Sequence, residues 1–127
     1  MQLNIITGEI VDAAIKVHNE LGPGLFESVY EEVLAYELVT RGLFVERQVP
    51  ISVHYQNLKM EVGFRADLIV EKEVIVEIKS IEHLAAVHKK QVLTYLRLAK
   101  LKIGLLINFN EELLKNGITR LFNNFIN

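Results

Sequence analysis

The stretch from Arg65 to Lys79 constrains this chain more than any other. Arg65-Ala66-Asp67-Leu68-Ile69-Val70 and Val74-Ile75-Val76-Glu77-Ile78-Lys79 are apolar runs separated by Glu71-Lys72-Glu73. Short runs rich in β-branched residues, joined by a charged turn, predict paired strands. Val74 to Lys79 is almost continuously apolar, which suits a central strand buried on both faces. A sheet with such a strand at its centre needs helices to cover it.

The rest of the chain supplies them. Ile6, Ile10, Ala13, Ala14, Val17 and Leu21 recur at helical spacing, which predicts a helix from Ile5 to Leu21 with Thr7 as its cap. Gly22-Pro23-Gly24 breaks it. A second helix is expected from Phe26 to Thr40, burying Val29, Val33 and Tyr36 with Leu34 and Leu38 beside them. Gly42 is a candidate left-handed cap. The pattern then changes to period two. One strand is expected from Phe44 to Tyr55, with a bulge or edge position at Pro50. After a turn at Gln56-Asn57-Leu58, a second runs from Lys59 to Val70, irregular at Gly63. Beyond Lys79 come a helix from Ala85 to Ala99 and an apolar strand from Leu101 to Asn108. A helical turn at Glu111–Lys115 and an edge strand from Ile118 to Phe125 complete the pattern. The order is α-α-β-β-β-α-β, an α/β sandwich around a central mixed sheet of four or five strands.

A chain of 127 residues fits a single domain, 1–127. It contains no cysteine, which excludes disulfides and thiolate zinc sites. No apolar run approaches the roughly 20 residues of a membrane span. The N-terminus lacks the pattern of a secretion signal, so a cytoplasmic protein is the expectation. The net charge of −2 gives no overall basic surplus for nucleic acid. Lys89, Lys90, Arg97, Lys100 and Lys102 cluster, a pattern shared by solvated helix faces. Charge neither names nucleic acid as a partner nor excludes it.

The chemistry concentrates in the hairpin. If it turns about Lys72, Asp67 lies opposite Glu77, with Cβ atoms roughly 4.5–5.5 Å apart. Glu77 and Lys79 share a strand face. A surface hairpin whose charges pair with each other and with solvent has the same spacing. The apolar flanks argue otherwise, because charges beside buried strands need a reason. Two close carboxylates repel, and a cation between them removes that cost. Hard oxygen ligands select Mg²⁺ or Mn²⁺. A metal can lower the pKa of an attacking water, and a neighbouring lysine can position it. Phosphodiester hydrolysis requires these parts. The chain has no phosphate-binding glycine loop, no nucleophile elbow and no zinc-protease helix.

An Asp, a gap of about ten residues and then Glu-x-Lys, in this element order, resembles the PD-(D/E)xK nuclease superfamily. Asp67, Glu77 and Lys79 match its acids and lysine; Ala66 stands where the motif's proline would be. Gly24-Leu25-Phe26-Glu27-Ser28-Val29-Tyr30, read with Leu105-Leu106-Ile107-Asn108-Phe109, narrows the likeness to its GxxExxY family of small prokaryotic proteins. The likeness runs from Ile5 to Phe122.

The resemblance implies a restriction-endonuclease-like fold and a metal-dependent nuclease acting on DNA. It implies that Glu27, with Glu31 in reserve, completes a metal shell with Asp67 and Glu77. Gln91-Val92-Leu93-Thr94-Tyr95 looks like the Q-x-x-x-Y motif of the helicase-associated exonuclease branch, so Gln91 and Tyr95 would shape the site. His88 is a candidate contact for substrate or a metal-bound water. Arg65 could hold a phosphate or pair with an acid. Tyr30 could pack on the site wall or donate to a phosphate. His18, His54 and His83 show no partner pattern. Small relatives imply a homodimer or a partner protein that supplies DNA-binding surface. Two rivals stand beside the DNA nuclease: a catalytically silent binding or assembly module, and a ribonuclease or toxin-like partner.

Overall fold

The computed structural model describes residues 1–61 and 63–124. Helix α1 spans Leu3–Leu21 and buries Ile6, Ile10, Ala13, Ala14 and Val17. It begins a turn before the expected Thr7 cap, because the N–H groups of Ile5 and Ile6 already donate to the Gln2 carbonyl. Thr7 lies inside the helix and donates its hydroxyl to the Asn4 carbonyl at 3.2 Å.

Helix α2 spans Glu27–Thr40 and buries Tyr30, Glu31, Leu34, Ala35 and Leu38. The expected stripe was misphased: Val29 and Tyr36 face outward. Two contacts set the rotation. Tyr30 stacks on Phe109 with ring centroids 4.4 Å apart, and Glu31 pairs with Arg47 at 3.0 Å. Gly42 ends the helix with φ +86°, and the next N–H, of Leu43, returns to the Leu38 carbonyl.

The strands are β1 (Val45–Pro50), β2 (Val53–Tyr55), β3 (Leu58–Met60), β4 (Arg65–Val70) and β5 (Val74–Lys79). Helix α3 (Ala86–Ala99) leads to β6 (Ile103–Asn108), a 3₁₀ turn at Leu114–Gly117 and β7 (Ile118–Phe122). The two long strands expected before Val70 are each divided. Pro50 closes β1, and β2 pairs with β3 as a separate ribbon, Val53 opposite Met60. Val62, within the second expected strand, lies outside the described residues. So does Phe125, the expected end of the last strand. The helical turn falls at Leu114–Gly117 rather than Glu111–Lys115.

The main sheet has five strands in the order β1-β4-β5-β6-β7. All neighbours are antiparallel except β5 and β6, which run parallel through the α3 crossover. The architecture is the α/β sandwich around a mixed sheet expected from the element order, and it is the restriction-endonuclease-like fold that the resemblance implies. Leu68, Val70, Val74, Val76, Leu105 and Ile107 pack with α1 and α2. Ile69, Ile75 and Leu106 pack with Val92, Tyr95 and Leu96 of α3. No helix among the described residues is long and apolar enough to cross a membrane.

Candidate functional site

The β4–β5 ladder runs from Val70 opposite Val74 to Leu68 opposite Val76. One step further, side chains take over from backbone. The Asp67 N–H donates to Glu77 Oε1 at 3.0 Å, and the Ile78 N–H donates to Asp67 Oδ2 at 2.8 Å. Each carboxylate therefore clasps the opposite strand. Glu77 and Lys79 lie two and four residues after Ile75, so they share its face, the one covered by α3.

Glu77 is only 5% exposed. Burial, and then the charge of Asp67, push its carboxyl up to about 8; the Asp67 N–H and the Lys79 charge oppose this. Burial also raises Asp67, with the charge of Glu31 adding to the effect, against the N–H of Ile78 and the amide of Gln48. The Tyr95 hydroxyl is raised by burial and then by the charges of Glu77 and Asp67. These shifts describe two acids held together where ionising both is costly.

Lys79 opens onto a cleft of about 590 Å³. Phe64 forms one wall; His88, Gln91 and Tyr95 line the other from α3. Gln91 and Tyr95 share a helix face, four residues apart. The His88 ring accepts the Ala85 N–H through Nδ1 at 2.9 Å, fixing the ring at the start of α3. Behind Lys79, the Phe109 N–H donates to the Lys79 carbonyl at 2.8 Å. Asn108 is fully buried and pins the following loop through both polar groups of Ile81.

The remaining candidates lie elsewhere. Glu27 accepts the Ser80 N–H at 3.1 Å, so it ties the start of α2 to the end of β5. Glu31, the reserve acid, is closer to Asp67 in the network: the Gln48 amide donates both to Glu31 and to Asp67 Oδ1, the latter at 3.2 Å. Among the described residues no group of three or more His, Asp or Glu is arranged to hold a metal. A shell of Glu27, Asp67 and Glu77 is therefore not assembled. Arg65 is exposed and donates to the Gln48 carbonyl at 3.3 Å. Tyr30 does not reach the cleft. It is fully buried, and its hydroxyl donates to the Gly22 carbonyl and accepts the Leu25 N–H. A phosphate-donor role for it has no place here.

Gln48 is a member of the site that the sequence pattern does not mark. It sits in β1 with φ +50°, between the pairs Arg47–Leu68 and Val49–Ala66. A left-handed non-glycine residue inside a strand costs about 1 kcal/mol or more and persists only where its surroundings hold it. Here the two acids do so. Neither glycine nor asparagine stands at the position, so periodicity gave no signal.

No curated protein sequence matches the chain. The crystal structure of SSO0001 is similar over 88% of this chain, with 22% identity and a TM-score of 0.44. The chain spans 63% of that protein's length. A family model described as the PD-(D/E)XK nuclease superfamily matches residues 4–121. That match covers nearly the whole sandwich and the hairpin that carries Asp67, Glu77 and Lys79, so the chain belongs to the PD-(D/E)XK nuclease superfamily.

Proposed function

We propose that this chain is a Mg²⁺- or Mn²⁺-dependent nuclease that cleaves DNA, built as a single domain of the GxxExxY kind. The observation that carries this reading is the Asp67–Glu77 clasp beside Lys79. Each acid accepts a backbone N–H with one oxygen, Asp67 accepts the Gln48 amide with its other, and both are raised by burial and like charge. Buried, repelling carboxylates with hard oxygens fit a hard divalent cation. Such an ion, when bound, would acidify a water and offset charge on the phosphate. Asp67 and Glu77 would hold it. Lys79 would orient the water and balance charge developing on the phosphate. Gln91 and Tyr95, on the facing helix, would fix the scissile group, and His88 would border it. Glu27, through Ser80, would set where β5 ends and thus where the Lys79 ammonium sits.

Purified protein with Mn²⁺ is expected to nick plasmid DNA, and Lys79→Ala to lose at least about a hundredfold in rate, the scale of a missing charge-stabilising group. Equal cutting by the variant would remove Lys79 from the chemistry. A second reading, a silent nuclease-fold binding module, is favoured by the lack of a three-ligand group among the described residues. Calorimetric titration with Mn²⁺ separates the two: an active site binds the ion, and Glu77→Gln abolishes binding.

A further inference from the structure

The cleft beside Lys79 does not end at α3. A second cleft, of about 410 Å³, lies between α3 and β7 and is lined by Lys90, Thr94, Arg97 and Phe122. Both clefts are bordered by Lys90 and Thr94, so they join over the helix. The joined groove follows the helix axis: Lys90 to Arg97 is about two turns, roughly 10 Å.

Two features of its lining are independent of each other. The first is charge. Lys79, Lys90 and Arg97 line it, and among the described residues neither cleft has an Asp or Glu in its wall. This contrasts with the whole chain, where 16 acids outnumber 14 lysines and arginines. The second is exposed apolar surface at both ends. Phe64 is 39% exposed at one end, 6.0 Å from the Tyr95 ring, and Phe122 is 58% exposed at the other.

We propose that this groove binds an unpaired nucleic-acid strand, with Lys90 and Arg97 along its phosphates and Phe64 and Phe122 as stacking platforms for bases. Cationic walls suit any polyphosphate backbone. Aromatic faces discriminate: in a duplex the base faces are already stacked and paired, whereas an unpaired strand offers them to a protein ring. A duplex laid on the groove would meet the cations and leave Phe64 and Phe122 without a partner. The inference extends the nuclease reading to its substrate class and rests on that reading only for where the strand is cut.

Binding is tested in EDTA, which prevents metal-dependent cutting, by fluorescence anisotropy of the full chain. The probes are a labelled single-stranded DNA, an RNA of the same sequence and the DNA annealed to its complement. Single strands are expected to bind about tenfold more tightly than the duplex, and Phe122→Ala to weaken them by about tenfold, the scale of one base–aromatic stack. Lys90→Glu is expected to weaken binding and to lower the salt dependence by about 0.7 in log–log slope for each phosphate it no longer neutralises. The DNA and RNA arms show which sugar the groove prefers. Lys115→Glu makes the same charge change on the exposed 3₁₀ turn beside α1 and should leave binding unchanged. Phe122 and Lys90 are both exposed, so thermal melts of their variants should match wild type. The proposal is overturned if the duplex binds as well as the strands, if no probe binds, or if the Phe122 and Lys90 variants bind like wild type. A loss at Lys115→Glu as large as at Lys90→Glu also overturns it. Parallel incubation with Mn²⁺ keeps the two readings apart. Strand binding without cutting supports the groove and removes the nuclease, whereas cutting with a duplex preference removes the groove alone.

Discussion

Glu77 is held in a protonation state that its surroundings, not its chemistry, choose. Its carboxyl lies at about 8 in the fold against an ordinary 4.5. Between those values the folded chain keeps a proton that the unfolded chain releases. Stability without metal therefore falls as pH rises through that window, by at most about 1.4 kcal/mol per pH unit, and levels off above it. Urea unfolding across the range, in EDTA, checks this, and Glu77→Gln should flatten the fall. Adding Mn²⁺ should oppose the trend, because a cation stabilises the ionised acid and binds better as the proton leaves. The approach of Asp67 to Glu77 could be read from the sequence, since hairpin register fixes which residues meet. The Gln48 bridge could not. Its backbone is bent into a left-handed conformation by partners 17 and 19 residues away, and nothing local records that.

At the scale of elements, contact between α3 and the sheet depends on a missing side chain. A Cβ on Gly104 of β6 would fall 2.8 Å from Val92 Cγ1 and 3.4 Å from Leu96 Cδ1. Gly104→Ala should cost about 1–3 kcal/mol through overpacking. Trimming the obstruction tests the cause: in denaturant unfolding, Val92→Ala combined with Gly104→Ala should lose less than the sum of the singles. The sequence showed the existence and order of these elements well, because β5 and β6 are too apolar to lie anywhere but the centre. It misjudged the phase of α2, where apolar Val29, Val33 and Tyr36 compete with Tyr30, Leu34 and Leu38 for the core. Stacking on Phe109, more than 70 residues away in sequence, decides that competition.

Across the whole molecule, stability is unevenly shared. Every strand residue of β3 is exposed, and β2 is at most half-buried, whereas β6 is buried throughout. In hydrogen exchange, the amides of Val53–Met60 should exchange by local opening, and those of Ile75 and Leu105–Ile107 only by global unfolding. Equal protection of ribbon and core would contradict this. The ribbon was illegible in the sequence because Val53-His54-Tyr55 alternates as a core strand does; only Pro50 hinted at the break. The β4–β5 clasp has a consequence on a longer timescale still. Asp67 and Glu77 each replace a rung of the sheet, so removing either leaves a backbone N–H without its acceptor. Selection for folding alone would then retain both acids. The Lys79 ammonium takes no part in the clasp. If the proposed cleavage were given up in some lineage, drift would reach Lys79 first, and the two acids would persist for the fold alone.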